Sequence, residues 1–264
     1  MNIHSHREVE LLNVLRRLGG SARNTDLAVA LNVSEETVRR AVKALSEGGA
    51  VTRVHGGVYL VDVEGDPSFF SRITRHKKEK HRIAVAVSDY VKDGMCLFLD
   101  VGTTTAFVAE ELRGHSDLTI ATNSLGVAQA LANHNGNKVY LLGGEMQQDE
   151  RGTFGSLTEA QTRTFAFDLA ILSADALSAS AGFMFSNANE AQLGKVAAEV
   201  SAKVLMVVDH FKFETRAPHR GIAPEQVDTL VTDAPPDDGL ARVLAEAGVN
   251  IELAGLSPKG GEDG

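Results

Sequence analysis

Cysteine is almost missing from this chain: Cys96 is the single one in 264 residues. No disulfide framework and no cysteine-rich metal site can be built from it. Its setting, the apolar run Met95-Cys96-Leu97-Phe98-Leu99, predicts a buried strand residue. Long apolar runs are missing as well. None approaches the ~20 residues that cross a bilayer, and the start, Met1 to Glu10, is too polar for the core of a signal peptide. A cytoplasmic protein with no membrane partner is expected. Excess positive charge is also absent, with a net charge of −9. That average conceals an asymmetry: residues 1–61 carry eight Lys+Arg against six Asp+Glu, and the remainder carries eighteen against twenty-nine. A mildly basic head precedes an acidic body. Counterion release depends on where the cations project, so DNA binding is permitted. The P-loop pattern and the three-glycine dinucleotide fingerprint are both lacking, and no cofactor is expected. His76 and His81 have no cysteine or carboxylate at a matching spacing, so no metal is expected either.

What is present divides into two parts. Val9, Leu11, Leu12, Val14, Leu15 and Leu18 follow helical spacing and stop at Gly19-Gly20. A second helix fits Asn24 to Leu31, with Asn24 or Thr25 as cap and Leu27, Ala28 and Leu31 inward. After a turn at Asn32-Val33, Ser34 caps a third helix with Val38, Ala41, Val42 and Leu45 inward and Glu35 and Glu36 at the positive end of its dipole. Its outer face holds Thr37, Arg39, Arg40 and Lys43. A helix pair of this kind, with cations on the second member, suits the major groove. Arginine can pair with guanine, and Ser34 and Thr37 can donate to phosphates. Val51 to Val61 reads as a hairpin turned at His55-Gly56-Gly57, a wing that places Arg53 and His55 beside the DNA. The runs from Val33 to Arg40, Lys43 to Leu45 and Arg53 to Gly57 together resemble the head of DeoR-family repressors. Ala41 departs from that family, which usually has aspartate after the paired arginines.

The expected domains are a winged helix-turn-helix over 1–61, a linker over 62–79, an α/β domain over 80–257 and a tail over 258–264. The linker contains Gly65-Asp66-Pro67 and the basic run Arg75 to Arg82. Ile83, Val85, Ala86, Val87 and Val91 begin a helix beyond it. Thereafter helices alternate with apolar strands at 95–100, 118–122, 138–142, 169–172, 204–209, 229–232 and 250–253. That rhythm predicts a doubly wound, mostly parallel sheet, and in such sheets ligands collect beyond the carboxyl ends of strands. Those ends offer Asp100-Val101-Gly102-Thr103-Thr104-Thr105, Thr122-Asn123-Ser124, Gly143-Gly144 and Asp209-His210-Phe211-Lys212. Glycines, hydroxyls and free N–H groups at helix starts cradle phosphate, and a lysine can meet the anion. A phosphorylated sugar or polyol is the expected ligand.

With these motifs the chain resembles DeoR-family regulators over nearly its whole length. The resemblance implies a fold related to sugar-phosphate isomerases and a repressor released from its double-stranded operator by a phosphorylated sugar or polyol. It also implies roles: Gly102, Thr103, Thr104 and Thr105 hold the phosphate, Asp100, Asn123 and Ser124 the hydroxyls, and Lys212 the anion. The stretch 173–179 lacks the family's usual glycines, and Glu214 replaces a glycine after Phe213. A homodimer or homotetramer would space two heads over a repeated operator. The alternative is an isomerase-like enzyme with Asp100, Glu145, Asp175 or Asp209 as acid or base. Nothing in the sequence marks one of them as tuned, and an enzyme has no use for the head, so a non-enzyme is expected. An interaction protein using the winged helix against another protein is disfavoured by Arg39, Arg40 and Lys43.

Overall fold

The computed structural model describes residues 6–17, 21–54, 57–60, 69–147 and 150–255, and the chain divides into two units, Met1–Arg75 and His76–Gly264. The first unit runs α1 (His6–Arg17), β1 (Ser21–Arg23), α2 (Asn24–Leu31), α3 (Glu35–Glu47), β2 (Val51–Val54), β3 (Gly57–Leu60) and α4 (Phe69–Thr74). Its core is made by Leu11, Leu15, Leu27, Val38, Val42, Leu45, Val51 and Val58, all buried. Val9 is exposed. Leu18, Gly19 and Gly20 lie outside the described residues. β3 pairs with β2 and, on its other side, with β1, so the wing is a three-stranded antiparallel sheet. A three-residue strand carries too little pattern to be read from sequence. Arg23, not Asn24 or Thr25, stands at the N-cap of α2 and makes no side-chain cap.

The second unit opens with α5 (Lys77–Ser88), β4 (Cys96–Leu99), α6 (Thr103–Glu111), β5 (Thr119–Thr122), α7 (Leu125–Leu131) and β6 (Lys138–Leu141). It continues through a hairpin, β7 (Glu145–Gln147) and β8 (Gly152–Phe154), to α8 (Ser156–Thr162) and β9 (Leu169–Ser173). Next come β10 (Ala176–Ser178), β11 (Gly182–Phe185), α9 (Ala188–Glu199), β12 (Val204–Val207), β13 (His219–Arg220), β14 (Thr229–Thr232), α10 (Asp238–Glu246) and β15 (Asn250–Leu253). Helices therefore enter the stretch expected to be linker, with α4 at Phe69–Thr74 and α5 from Lys77, and the units divide between Arg75 and His76.

Seven strands form one parallel sheet in the order β15-β14-β12-β9-β4-β5-β6. The winding proceeds outward from β4 through β5 to β6, then returns to β9 on the other side of β4. The switch point thus falls between β4 and β9, where an open α/β sheet leaves a crevice. Alternation along the strands builds a core on each face. Leu97, Leu99, Ile120, Ile171 and Val207 pack with Ile83 and Val87 of α5, Val108 of α6 and Leu131 of α7. Phe98, Ala121, Leu172 and Met206 pack with Leu193 and Ala197 of α9 and Leu240 and Leu244 of α10. Val85 is exposed. Cys96 is half-buried at the first position of β4. Burial first, and then the charge of Asp168, push its thiol above the ordinary value.

Candidate nucleic-acid interface and effector cleft

In the first unit the turn between α2 and α3 closes with Asn32 in the left-handed region (φ 50°) and its N–H on Val29 C=O at 3.1 Å. Asparagine tolerates that conformation better than most residues. Ser34 caps α3 by accepting the Thr37 N–H at 3.2 Å, and the two hydroxyls lie 2.9 Å apart. With Val38, Val42 and Leu45 buried, the opposite face presents Arg39, Arg40 and Lys43, whose side chains are 57%, 81% and 67% exposed. Each cation meets an acid of its own helix: Arg39–Glu35 at 3.3 Å, Arg40–Glu36 at 3.2 Å and Lys43–Glu47 at 3.9 Å. The i,i+4 spacing made these pairs legible, but Glu35 and Glu36 read first as dipole partners. Exposed pairs of this kind contribute about 0.3–0.5 kcal/mol, so a phosphate can displace the glutamate at small cost. Ala41 is partly buried against the core. Arg53 is exposed on β2, and Gly57 opens β3 opposite Val54. His55 and Gly56 lie outside the described residues.

In the second unit the crevice at the switch point is organised by Asp100, which follows β4. Its Oδ1 accepts the Gly102 N–H at 2.9 Å and the Thr105 hydroxyl at 2.7 Å, while its Oδ2 accepts the Ser173 N–H at 2.6 Å and the Ser173 hydroxyl at 3.0 Å. One carboxylate ties the end of β4 to the end of β9 and to the first turn of α6. Gly102 is the N-cap of α6 and supplies no side-chain cap, so the first N–H groups of that helix keep no intrahelical partner. A Cβ on Gly102 would stand 1.9 Å from Ser173 Oγ. Close approach therefore requires glycine here.

A cleft opens beside this turn. Asp100, Gly102, Asn123, Ser173 and Glu190 supply its polar lining, and Phe98, Phe154, Leu172, Phe185 and Leu193 most of its apolar wall. Asn123 is 1% exposed, and its Nδ2 donates to Thr153 C=O at 3.1 Å.

The other expected ligand residues are placed differently. The helix already begins at Thr103, so Thr103, Thr104 and Thr105 turn their side chains into buried positions. The Thr105 hydroxyl is engaged with Asp100 and Gly102, and Thr104 Oγ1 has no hydrogen-bond partner among the described residues. Ser124 caps α7 by accepting the Val127 N–H at 3.3 Å. Gly143 donates to Gln161 Oε1 and accepts from the Thr158 hydroxyl, both at 2.7 Å. A Cβ on Gly144 would stand 2.1 Å from Thr158 Oγ1. These two glycines let α8 approach, and neither lines the cleft. Lys212 donates its ammonium to Ala174 C=O, one residue beyond Ser173. Glu190 and Gly194 of α9, which line the cleft, gave no signal in the sequence because nothing local distinguishes them from a helix surface.

Residues 7–64 match the family described as the DeoR-like helix-turn-helix domain, and residues 75–234 the DeoR C terminal sensor domain. The Glycerol-3-phosphate regulon repressor of Escherichia coli is 32% identical over 89% of this chain and 93% of its own. The transcriptional repressor CsqR of the same organism is 34% identical over 86% of this chain and 87% of its own. Among solved structures, ribose 5 phosphate isomerase A from Neisseria gonorrhoeae is 15% identical, with a TM-score of 0.36 over 52% of this chain and 53% of its own. A winged helix-turn-helix followed by a doubly wound sheet with a cleft at its switch point, matched in both parts, makes the chain a member of the DeoR family of transcriptional regulators.

Proposed function

We propose that this protein represses transcription by binding operator DNA through α3 and the wing, and that a phosphorylated sugar or polyol in the cleft releases it. The observation that carries the effector half is the uncapped start of α6 at Gly102, beside a cleft that is otherwise lined by hydroxyl-seeking groups and apolar walls. Main-chain N–H groups at a helix start favour an anion, and Lys212 stands one residue from the same rim. The relatives that carry the name of repressor support the DNA half. Two copies or four would place paired heads on a repeated operator.

An isomerase would need an acid or base aimed into the cleft. Asp100 spends its carboxylate on four hydrogen bonds within the protein. Asp175 accepts the Ser186 N–H, and Asp209 and Glu145 do not line the cleft. Glu190 is the other carboxylate in the lining, and the relatives named as repressors, not a lack of acids, favour a regulator.

The test is binding to duplexes selected from a random library, measured by fluorescence anisotropy with and without a panel of sugar and polyol phosphates. Loss of affinity with at least one of them is expected; a tenfold loss corresponds to about 1.4 kcal/mol of coupling. Equal affinity in the presence of every probe at saturation would defeat the proposal.

A further inference from the structure

We propose that the single turn His210–Lys212 relays effector binding from the cleft to the start of α5, and that Phe211 is the side chain through which it does so. The inference rests on the effector reading above and adds its regulation. The turn follows β12 and is a 3₁₀ turn, so its three side chains leave it roughly 120° apart. Each has its own partner. The His210 N–H donates to Asp233 Oδ1 at 2.9 Å, and the His210 ring faces Asp233 Oδ2 with Nδ1 at 2.6 Å. Lys212 donates its ammonium to Ala174 C=O at the rim of the cleft. The Phe211 ring stacks on the ring of His76, with centroids 3.7 Å apart and planes 21° from parallel.

The second unit begins at His76. This residue is the N-cap of α5, and its backbone is left-handed, with φ 53°. That conformation is strained for a residue with a side chain and persists where the surroundings hold it. His76 gives α5 no side-chain cap; its ring lies on Phe211 instead. Phe211 belongs to neither core of the sheet and is 48% exposed. A phenylalanine outside the core adds little burial, so what this one does is brace the first residue of the unit. Asp233, whose side chain is 1% exposed, also meets Arg82 of α5 at 3.4 Å. That buried carboxylate is the fixed end of the turn.

An ammonium pairs more strongly with an anion than with a neutral carbonyl. A phosphorylated ligand in the cleft therefore draws Lys212 away from Ala174. Three residues wound into one turn have no slack, and His210 is held at Asp233, so Lys212 takes Phe211 with it. The stack on His76 slips, the left-handed residue loses its brace, and the direction in which the chain enters α5 changes. Cleft occupancy and that entry then share one equilibrium, which is what coupling between two ligands requires.

The test uses the full chain. Operator affinity is read by anisotropy without probe and with saturating glycerol 3-phosphate, glucose 6-phosphate, fructose 6-phosphate or ribose 5-phosphate, and probe affinity is read separately by calorimetry. Phe211→Ala is expected to keep each affinity, measured alone, within about threefold, while the loss of operator affinity caused by the probe shrinks from about tenfold to about twofold. Phe211→Tyr keeps a ring and is expected to keep the full effect. His76→Asn removes the ring but tolerates the left-handed backbone; it is expected to match Phe211→Ala, and the double variant to lose no more than either. A stack that served stability alone would change the melt and leave the coupling intact. Full release of Phe211→Ala by the probe, additive losses in the double variant, or a fall in its probe affinity as large as the fall in coupling overturns the inference. In each of those cases the unaltered protein still responds to the probe, and the effector reading survives. If no probe releases the unaltered protein, both fail together.

Discussion

Asp100 and Ser173 stand at the ends of neighbouring strands, and the carboxylate of the first accepts both the N–H and the hydroxyl of the second, at 2.6 and 3.0 Å. The same side chain holds the first turn of α6 through Gly102 and Thr105. The rim of the cleft is thus a hydrogen-bonded unit, and substitutions there affect shape as well as affinity.

Gly102→Ala inserts a methyl group where 1.9 Å separates it from Ser173 Oγ. The turn must shift, with an expected loss of about 1–3 kcal/mol in stability by denaturant melting and loss of effector binding by titration. A melt indistinguishable from that of the unaltered protein would mean that the turn is loose.

Arg39→Ala and Arg40→Ala each remove a side chain whose ion-pair partners among the described residues are exposed glutamates of the same helix. Stability is expected to change by no more than about 0.5 kcal/mol. Operator affinity should fall, and the slope of log affinity against log salt should drop by about one for each arginine that meets a phosphate. An unchanged slope together with unchanged affinity would remove α3 from the interface.

Lys212→Ala frees the Ala174 carbonyl at the rim. Operator affinity without effector is expected to remain, while effector affinity falls by about tenfold or more, a charge-assisted contact being worth about 1.5–3 kcal/mol. The protein would then hold its operator through effector concentrations that release the unaltered repressor. Normal release in the same anisotropy assay would place the anion elsewhere.

Alkali offers a separate test of the second unit. Burial, and then Asp168, raise the Cys96 thiol above 9.0; burial, and then Glu252, raise the Tyr90 hydroxyl above 10.0. Both groups ionise more readily in the unfolded chain. Their contribution is complete below the unfolded values and is lost as pH rises through the higher folded values. The melting midpoint should fall as the pH rises past 9, and Cys96→Ser combined with Tyr90→Phe should flatten that fall. An identical slope in the double variant would locate the sensitivity elsewhere.

The inner strands of the parallel sheet are legible because a strand buried on both faces is a continuous apolar run, as at Leu97 to Leu99 and Val204 to Val207, whereas the edge strands β6 and β15 are partly exposed. The short antiparallel pieces, β7 with β8 and β10 with β11 and β13, are not. Two to four residues carry no periodicity, and these strands are fixed by what they lie against. At the site, Asp100, Gly102 and Asn123 stand out as polar or small residues closing apolar strands, and all three line the cleft. The threonines are ambiguous in sequence because a hydroxyl-rich loop and the first turn of a helix have the same spelling; in the structure they begin α6 with their side chains buried. Gly143 and Gly144 mislead because close packing and ligand approach both ask for glycine. Ser173, Glu190 and Gly194 reach the cleft from distant parts of the chain, so no local pattern could gather them.

The bond between Asp100 and Ser173 spans 73 positions of the chain, while the unit that carries α3 and the wing is complete by Arg75. During synthesis the DNA reader therefore emerges well before the strands that frame the cleft can meet. A message broken between those two points encodes a reader without the machinery that would tell it to let go.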